Sequence, residues 1–247
     1  MHSTGSILRF VLIMTTIVSL LLSFMYNGLK SIHDRNEAVY SKKATLASIA
    51  DHLPIDDFTV ISDEQVQEIF DTKIEQVVLD IEGNVITEEQ MRSRGYKDGE
   101  ASTLDMKKEQ KRGDEKFMPM YVYKKDDGKK FYILYARGKG LWDEIWGCIA
   151  LQDDFNTIAG VSFDHITETP GLGAEIKDNK AWVRQFVGKK IYDGDTFKSI
   201  YVRKGGAKDP VYEVDGISGA TITADGVTKM LADYLVDYEP YIKTLKG

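Results

Sequence analysis

Residues 10–26 form a seventeen-residue run without a charge, inside an apolar stretch over residues 7–26. At about 1.5 Å of rise per residue, ~20 helical residues cross the ~30 Å hydrocarbon core of a bilayer. The stretch is therefore expected to be a single membrane span, within an anchor over residues 1–29 that makes membrane lipid a partner. Arg9 lies near one end, where a long cation reaches the interface. The Tyr26-Asn27-Gly28-Leu29-Lys30 that follows lacks the small-x-small pattern of a cleavage site, which favours an uncleaved anchor over a signal peptide.

Beyond the anchor the period changes. Residues 30–117 read as a helical and charged linker or insertion region beside the body. Ala44, Leu46, Ile49, Ala50 and Leu53 have helical spacing up to Pro54. Ser62 is placed as the N-cap of a second helix, with Val66, Ile69, Phe70, Ile74 and Val77 on one face. Residues 97–116 hold 12 charged side chains out of 20 and read as a solvated insertion or mobile loop. From residue 118 strand patterns take over. Residues 120–123 and 131–135 flank Asp126-Asp127-Gly128, and residues 146–151 and 158–163 flank Asp153-Asp154-Phe155-Asn156, which gives two hairpins. A short helix is expected over 179–187 and a strand over 199–202. A final helix starts at Ala224, with Thr223 as N-cap and a core stripe of Val227, Met230, Leu231, Tyr234, Leu235 and Tyr238; Pro240 kinks or ends it. Strands in sequence with helices at the ends point to an α+β fold: a core over 118–247 with an antiparallel sheet and flanking helices.

The 247 residues carry 32 Lys and Arg against 39 Asp and Glu, a net charge of −7, which speaks against a nucleic-acid partner. The one cysteine, Cys148, can build neither an intramolecular disulfide nor a Cys-based metal site. His2, His33, His52 and His165 lack metal-ligand spacing, so no metal is expected. Lys30, Arg35, Lys42 and Lys43 behind the span would by simple charge counting keep the body in the cytoplasm, a weak vote because large domains translocate despite such charges.

Candidate chemistry lies in glycine-bearing loops. Asp215-Gly216-Ile217-Ser218-Gly219-Ala220-Thr221-Ile222-Thr223 runs into the last long helix. Small residues admit a ligand close to the backbone, and the start of a helix favours a phosphate. The same pattern also fits a plain glycine turn into a capped helix. Glu168-Thr169-Pro170-Gly171-Leu172-Gly173 lacks the third glycine of a dinucleotide fingerprint, and Val202-Arg203-Lys204-Gly205-Gly206 lacks the Walker order. Together with Gly138-Lys139-Gly140-Leu141-Trp142, these loops suit a planar aromatic ligand with a phosphate tail, such as flavin mononucleotide (FMN).

Residues 138–142, 168–173 and 218–221, in that order and behind an N-terminal anchor, resemble the NqrC family of sodium-translocating NADH:quinone reductase components, over roughly residues 7–245. The resemblance implies a compact FMN-binding domain on the periplasmic side of a bacterial inner membrane, held by one span. It implies covalent FMN on Thr221 through a phosphoester, installed by a flavin transferase. It further implies electron relay within a six-subunit complex whose other subunits oxidise NADH, reduce ubiquinone and move sodium, so that this chain is a redox part of a translocase and not catalytic alone. Ser218, Gly219 and Ala220 are then expected beside the phosphate. Thr223 either touches that phosphate or caps the helix, and Asp215 either contacts flavin or orders the turn. Trp142, Glu168, Thr169, Leu172, Gly173 and Lys204 are the candidate walls of the flavin ring, with Lys204 placed to stabilise the reduced form. Three alternatives are the RnfG component of the related Rnf electron-transport complex, which shares the Ser-Gly-Ala-Thr loop, a tethered flavin-binding module without electron-transfer partners, and a non-flavin receptor domain in which Ser218 to Thr223 is only a capped turn.

Overall fold

In the computed structural model, which describes residues 4–246, helix α1 (Thr4–Ala47) runs without a break. The chain divides into one unit up to Tyr40 and a second from Ser41 onward. In the first unit the apolar side chains stand outward, Phe24 at 80% exposure. Thr15 and Thr16 donate their hydroxyls back to Val11 O (2.9 Å) and Leu12 O (2.8 Å), so neither adds an unpaired donor to the apolar surface of the helix. Among the described residues, α1 is the one helix long and apolar enough to cross a membrane. His2 lies outside the described residues.

In the second unit Ser62 closes a capping box: its hydroxyl accepts from Gln65 N, and Gln65 Oε1 accepts from Ser62 N. Helix α2 (Asp63–Lys73) is shorter than its apolar spacing suggests. Ile74 and Val77, expected on its face, belong instead to strand β1 (Ile74–Leu79), where a run rich in β-branched residues turns extended and pairs with the next strand. Helices α3 (Glu88–Ser93) and α4 (Met106–Gln110) follow. The charged segment 97–116 is therefore folded into short helical turns rather than a mobile loop. The fully buried Glu109 carboxylate organises it, accepting from Phe117 N (2.8 Å), Tyr96 Oη (2.6 Å) and Arg94 Nη1 (3.2 Å). Charge density alone does not reveal that one carboxylate of the segment finds three donors.

Strands β2 (Met118–Lys124), β3 (Lys130–Lys139), β4 (Glu144–Leu151) and β5 (Ile158–His165) complete a five-stranded antiparallel meander in the order β1-β2-β3-β4-β5. Both expected hairpins are present, β2–β3 around Gly128 (φ +88°) and β4–β5 around residues 153–156. Both faces of the sheet are covered, so residues of either parity in β2 and β4 are buried. On one face Phe70 packs edge-on against Tyr121, His52 stacks on Phe131, and Cys148 Sγ lies 3.8 Å from Thr45 Oγ1.

The other face carries helices α5 (Glu175–Asp178) and α6 (Lys180–Arg184), with Asn179 capping the second. The short strands β6 (Tyr192–Asp193) and β7 (Thr196–Phe197) pair antiparallel, and β8 (Tyr201–Arg203) and β9 (Glu213–Asp215) pair parallel. Helix α7 (Thr221–Leu235) buries the expected stripe from Val227 to Leu235 in this core, with Tyr238 beside it. The α-helix tightens to a 3-10 turn at Val236–Tyr238, just before Pro240, and continues as α8 (Glu239–Lys246).

Candidate functional site

The start of α7 lies three residues earlier than its apolar stripe suggests. Its N-cap is Ala220, which has no side-chain capping bond, and its first turn holds no acidic residue. The first N–H groups of the helix therefore have no side-chain cap, and together with the positive end of the dipole they suit an anion. Thr221, the first helical residue, is half-buried, and its hydroxyl makes no hydrogen bond among the described residues. Thr223 is not the cap. It is 1% exposed, and its hydroxyl donates to Glu168 Oε2 at 2.6 Å.

Three loops are fastened around this helix end. Glu168, 4% exposed, accepts from Trp142 N at 3.0 Å through its second oxygen, and its own N–H donates to His165 Nδ1 at 3.1 Å. The carboxylate fits because two neighbours lack side chains. A Cβ at Gly140 would lie 2.4 Å from Oε1, and one at Gly173 would lie 2.2 Å from Oε2. One buried carboxylate thus clasps the β3–β4 turn, the loop after β5 and the first turn of α7. The clasped helix also lies close on β3: a Cβ at Gly226 would sit 2.4 Å from Lys139 O, and one at Gly138 would sit 2.7 Å from Met230 Cβ.

The loop over residues 215–220 has its own mooring. Asp215 N donates to Gln185 Oε1 (2.9 Å), its carbonyl accepts from Trp182 Nε1 (2.7 Å), and its Oδ1 accepts from Ala207 N (2.8 Å). In this structure Asp215 orders the turn. Gly216 N donates to Arg203 O at 2.8 Å, which brings Lys204 beside the loop; Lys204 is exposed and forms no ion pair among the described residues. Gly219 adopts φ +75°, and a Cβ there would meet Leu172 Cδ2 at 2.6 Å. Ser218 is exposed and Ala220 buried. Trp142 is 63% exposed, its indole N–H donating to Thr169 Oγ1 at 3.2 Å, and Leu172 is 40% exposed.

All eleven residues singled out in the sequence therefore gather around the first turn of α7 and the loops tied to it. They differ in availability. Thr221, Ser218, Trp142, Thr169, Leu172 and Lys204 reach the surface, whereas Glu168 and Thr223 occupy each other beneath it. Gly140, Gly226, Trp182 and Gln185 were not singled out as site residues for their structural parts. Gly226 alone carried a signal, since a glycine inside a helix costs about 1 kcal/mol relative to Ala and so points to close packing. A helix end with no side-chain cap and no acidic residue of its own in the first turn, a hydroxyl and a lysine without a bonded partner among the described residues, and exposed aromatic and aliphatic side chains fit a flavin with a phosphate tail, the one carboxylate at this turn, Glu168, being occupied by Thr223 and Trp142.

The FMN-binding domain family matches residues 140–236, the stretch that holds these loops and α7. The NqrC protein of the Na(+)-translocating NADH-quinone reductase of Neisseria meningitidis serogroup B is 32% identical, over 96% of this chain and 92% of that one. Its counterpart from Vibrio alginolyticus is 31% identical, over 94% and 91%. The crystal structure of the same reductase component from Parabacteroides distasonis superposes with a TM-score of 0.72 at 32% identity, covering 89% of this chain and 98% of that one. The fold is also that of the NqrC crystal structure from Shewanella oneidensis, with a TM-score of 0.64 at 24% identity.

Proposed function

The chain belongs to the NqrC family of Na(+)-translocating NADH-quinone reductases, whose members are redox subunits of an oxidoreductase complex with an FMN-binding domain, and from this we propose that it carries FMN esterified to Thr221 and relays electrons between other subunits of that complex. The observation that carries the reading is the Thr221 hydroxyl, half-buried and without a hydrogen bond among the described residues, at an uncapped helix start. Bound there, FMN supplies one- and two-electron carriage.

The chain's own residues supply the setting. The first N–H groups of α7 would hold the phosphodiester, which keeps one negative charge, with a contribution of ~0.3–1 kcal/mol from the helix dipole. Gly219 leaves room for the chain to pass Leu172, and Ser218 and Ala220 line the same turn. Trp142, Thr169 and Leu172 offer surface to the ring, and Lys204 offers a positive charge to it. Glu168, Gly173 and Thr223 act one layer below: they fix the positions of Trp142 and Thr221. A flavin transferase would install the group, Thr221 Oγ forming the new bond to phosphorus as the bond to AMP breaks and the hydroxyl proton leaves with it. A covalent link removes loss by dilution, since rebinding becomes intramolecular. The span over residues 7–26 holds the body on the periplasmic side of a bacterial inner membrane, where the transferase works.

In-gel fluorescence under ultraviolet light after denaturation tests the attachment. The wild-type chain from its own membrane should fluoresce, and Thr221→Ala should be dark. A fluorescent Thr221→Ala chain would overturn the assignment.

A further inference from the structure

Charge is distributed unevenly over the second unit. The chain carries −7, yet residues 177–208 hold nine Lys and Arg against three Asp. Arg184, Lys190, Lys198, Lys204 and Lys208 are exposed and form no ion pair among the described residues. The backbone laces them into one strip. Lys190 N donates to Val211 O (3.1 Å), Lys198 N to Ile191 O (2.8 Å), and Lys189 Nζ to Pro210 O (2.6 Å). Asp215 N donates to Gln185 Oε1, next to Arg184, and Gly216 N to Arg203 O, next to Lys204.

Three acids of this surface, Asp209, Glu213 and Asp215, are turned onto the main chain. Glu213 accepts from Lys208 N (2.8 Å), Asp209 N (3.0 Å) and Arg203 Nε (2.6 Å). Asp209 Oδ1 accepts from Val211 N (2.8 Å), and Asp215 Oδ1 from Ala207 N. With Asp209, Glu213 and Asp215 counted, residues 177–215 hold nine Lys and Arg against six Asp and Glu, so the strip keeps a net positive charge, and it ends at Gly216, the base of the loop that presents Thr221.

We propose that this strip is a docking surface for an acidic face of a neighbouring redox subunit of the same complex. The inference rests on the electron-relay reading, because a partner seated on the strip lies beside the Thr221 loop, where electrons would enter or leave. Complementary charge guides approach and register, and its effect fades as salt shortens the Debye length from ~10 Å at 0.1 M to ~3 Å at 1 M. An anionic lipid surface meets the same cations, but it has no use for their contact with the loop.

The test uses the complete complex purified from membranes. A carbodiimide, which couples a lysine amine to a carboxyl with loss of water, should join Lys190, Lys198 or Lys208 to Asp or Glu of another subunit, with a yield that falls as salt rises. The triple variant Arg184→Glu, Lys190→Glu, Lys208→Glu should lose these cross-links and slow NADH-driven electron transfer about tenfold at low salt, with the deficit closing at high salt. Cross-links confined to this chain, or a wild-type rate with a wild-type salt dependence in the variant, would overturn the proposal. So would weaker binding of the variant to anionic vesicles with its transfer rate unchanged, which assigns the strip to lipid. Fluorescence at Thr221 is read in parallel: its absence with cross-links intact counts against the flavin reading and leaves the docking surface standing.

Discussion

Replacing Glu168 by Ala should loosen the site and lower the stability of the whole body. The carboxylate is 4% exposed and accepts two hydrogen bonds, from Trp142 N at 3.0 Å and Thr223 Oγ1 at 2.6 Å. A hydrogen bond to a charged group contributes ~1.5–3 kcal/mol, and the Thr223 hydroxyl is left buried without a partner. Water entering the vacated space offsets part of this, so the net loss is about 3–5 kcal/mol. For a body of this size, ~1 kcal/mol moves Tm by ~2–4 °C, so the Ala variant should melt roughly 10 °C below wild type. Glu168→Gln keeps the shape: its carbonyl oxygen accepts from Trp142 N, and its amide donates to the Thr223 hydroxyl. Its loss should be about 1 kcal/mol, or ~2–4 °C. Near-ultraviolet circular dichroism of the detergent-solubilised full chain, followed on heating, reads both the melt and the ordering of Trp142. An Ala variant melting within about 2 °C of wild type, or a Gln variant as unstable as Ala, would refute the clasp.

Three further outcomes are expected. Glu213 is held down to about 2, first by N–H donors from Lys208 and Asp209 and then by Arg203. With its folded pKa depressed, its contribution to stability is complete above the ordinary carboxylate range and is lost as pH falls toward 2; a carboxyl signal titrating near 4.5 by NMR would contradict this. Burial pushes the Cys148 thiol up to about 11, so iodoacetamide at neutral pH should leave the folded protein unlabelled and react on unfolding; rapid labelling of the native chain would show the site to be open. Gly226→Ala should lower Tm despite a helix-propensity gain of ~1 kcal/mol, because a Cβ 2.4 Å from Lys139 O forces a backbone shift costing ~1–3 kcal/mol; a rise in Tm would refute the close approach.

The sheet was legible because its turns announce themselves. Asp126-Asp127-Gly128 and Asp153-Asp154-Phe155-Asn156 stand between runs too rich in Tyr, Ile and Val to be anything but strands, and both hairpins form there. The core stripe of α7 was equally plain. Boundaries where two signals compete were less so. Ile74 and Val77 continue the helical spacing of α2 but gain more from pairing with Tyr123 and Met120 across β1–β2, a contact that local spacing does not encode. Thr223 looked like a cap because it precedes the apolar stripe, yet a buried acid 55 residues earlier in the chain claims its hydroxyl and the helix starts at Thr221. The segment 97–116 hid its fold for a similar reason, since Glu109 stands among eleven other charged residues and only tertiary contacts single it out. The site loops themselves were visible as glycine clusters, but that Gly140 and Gly173 make room for one carboxylate emerges only in three dimensions.

The most direct test of the central claim is the intact mass of the chain purified from its native membrane, followed by mapping of the modified peptide. The expected result is a gain of ~438 Da, the mass of FMN less water, located on Thr221. An unmodified mass, or the same gain on another residue, would contradict it.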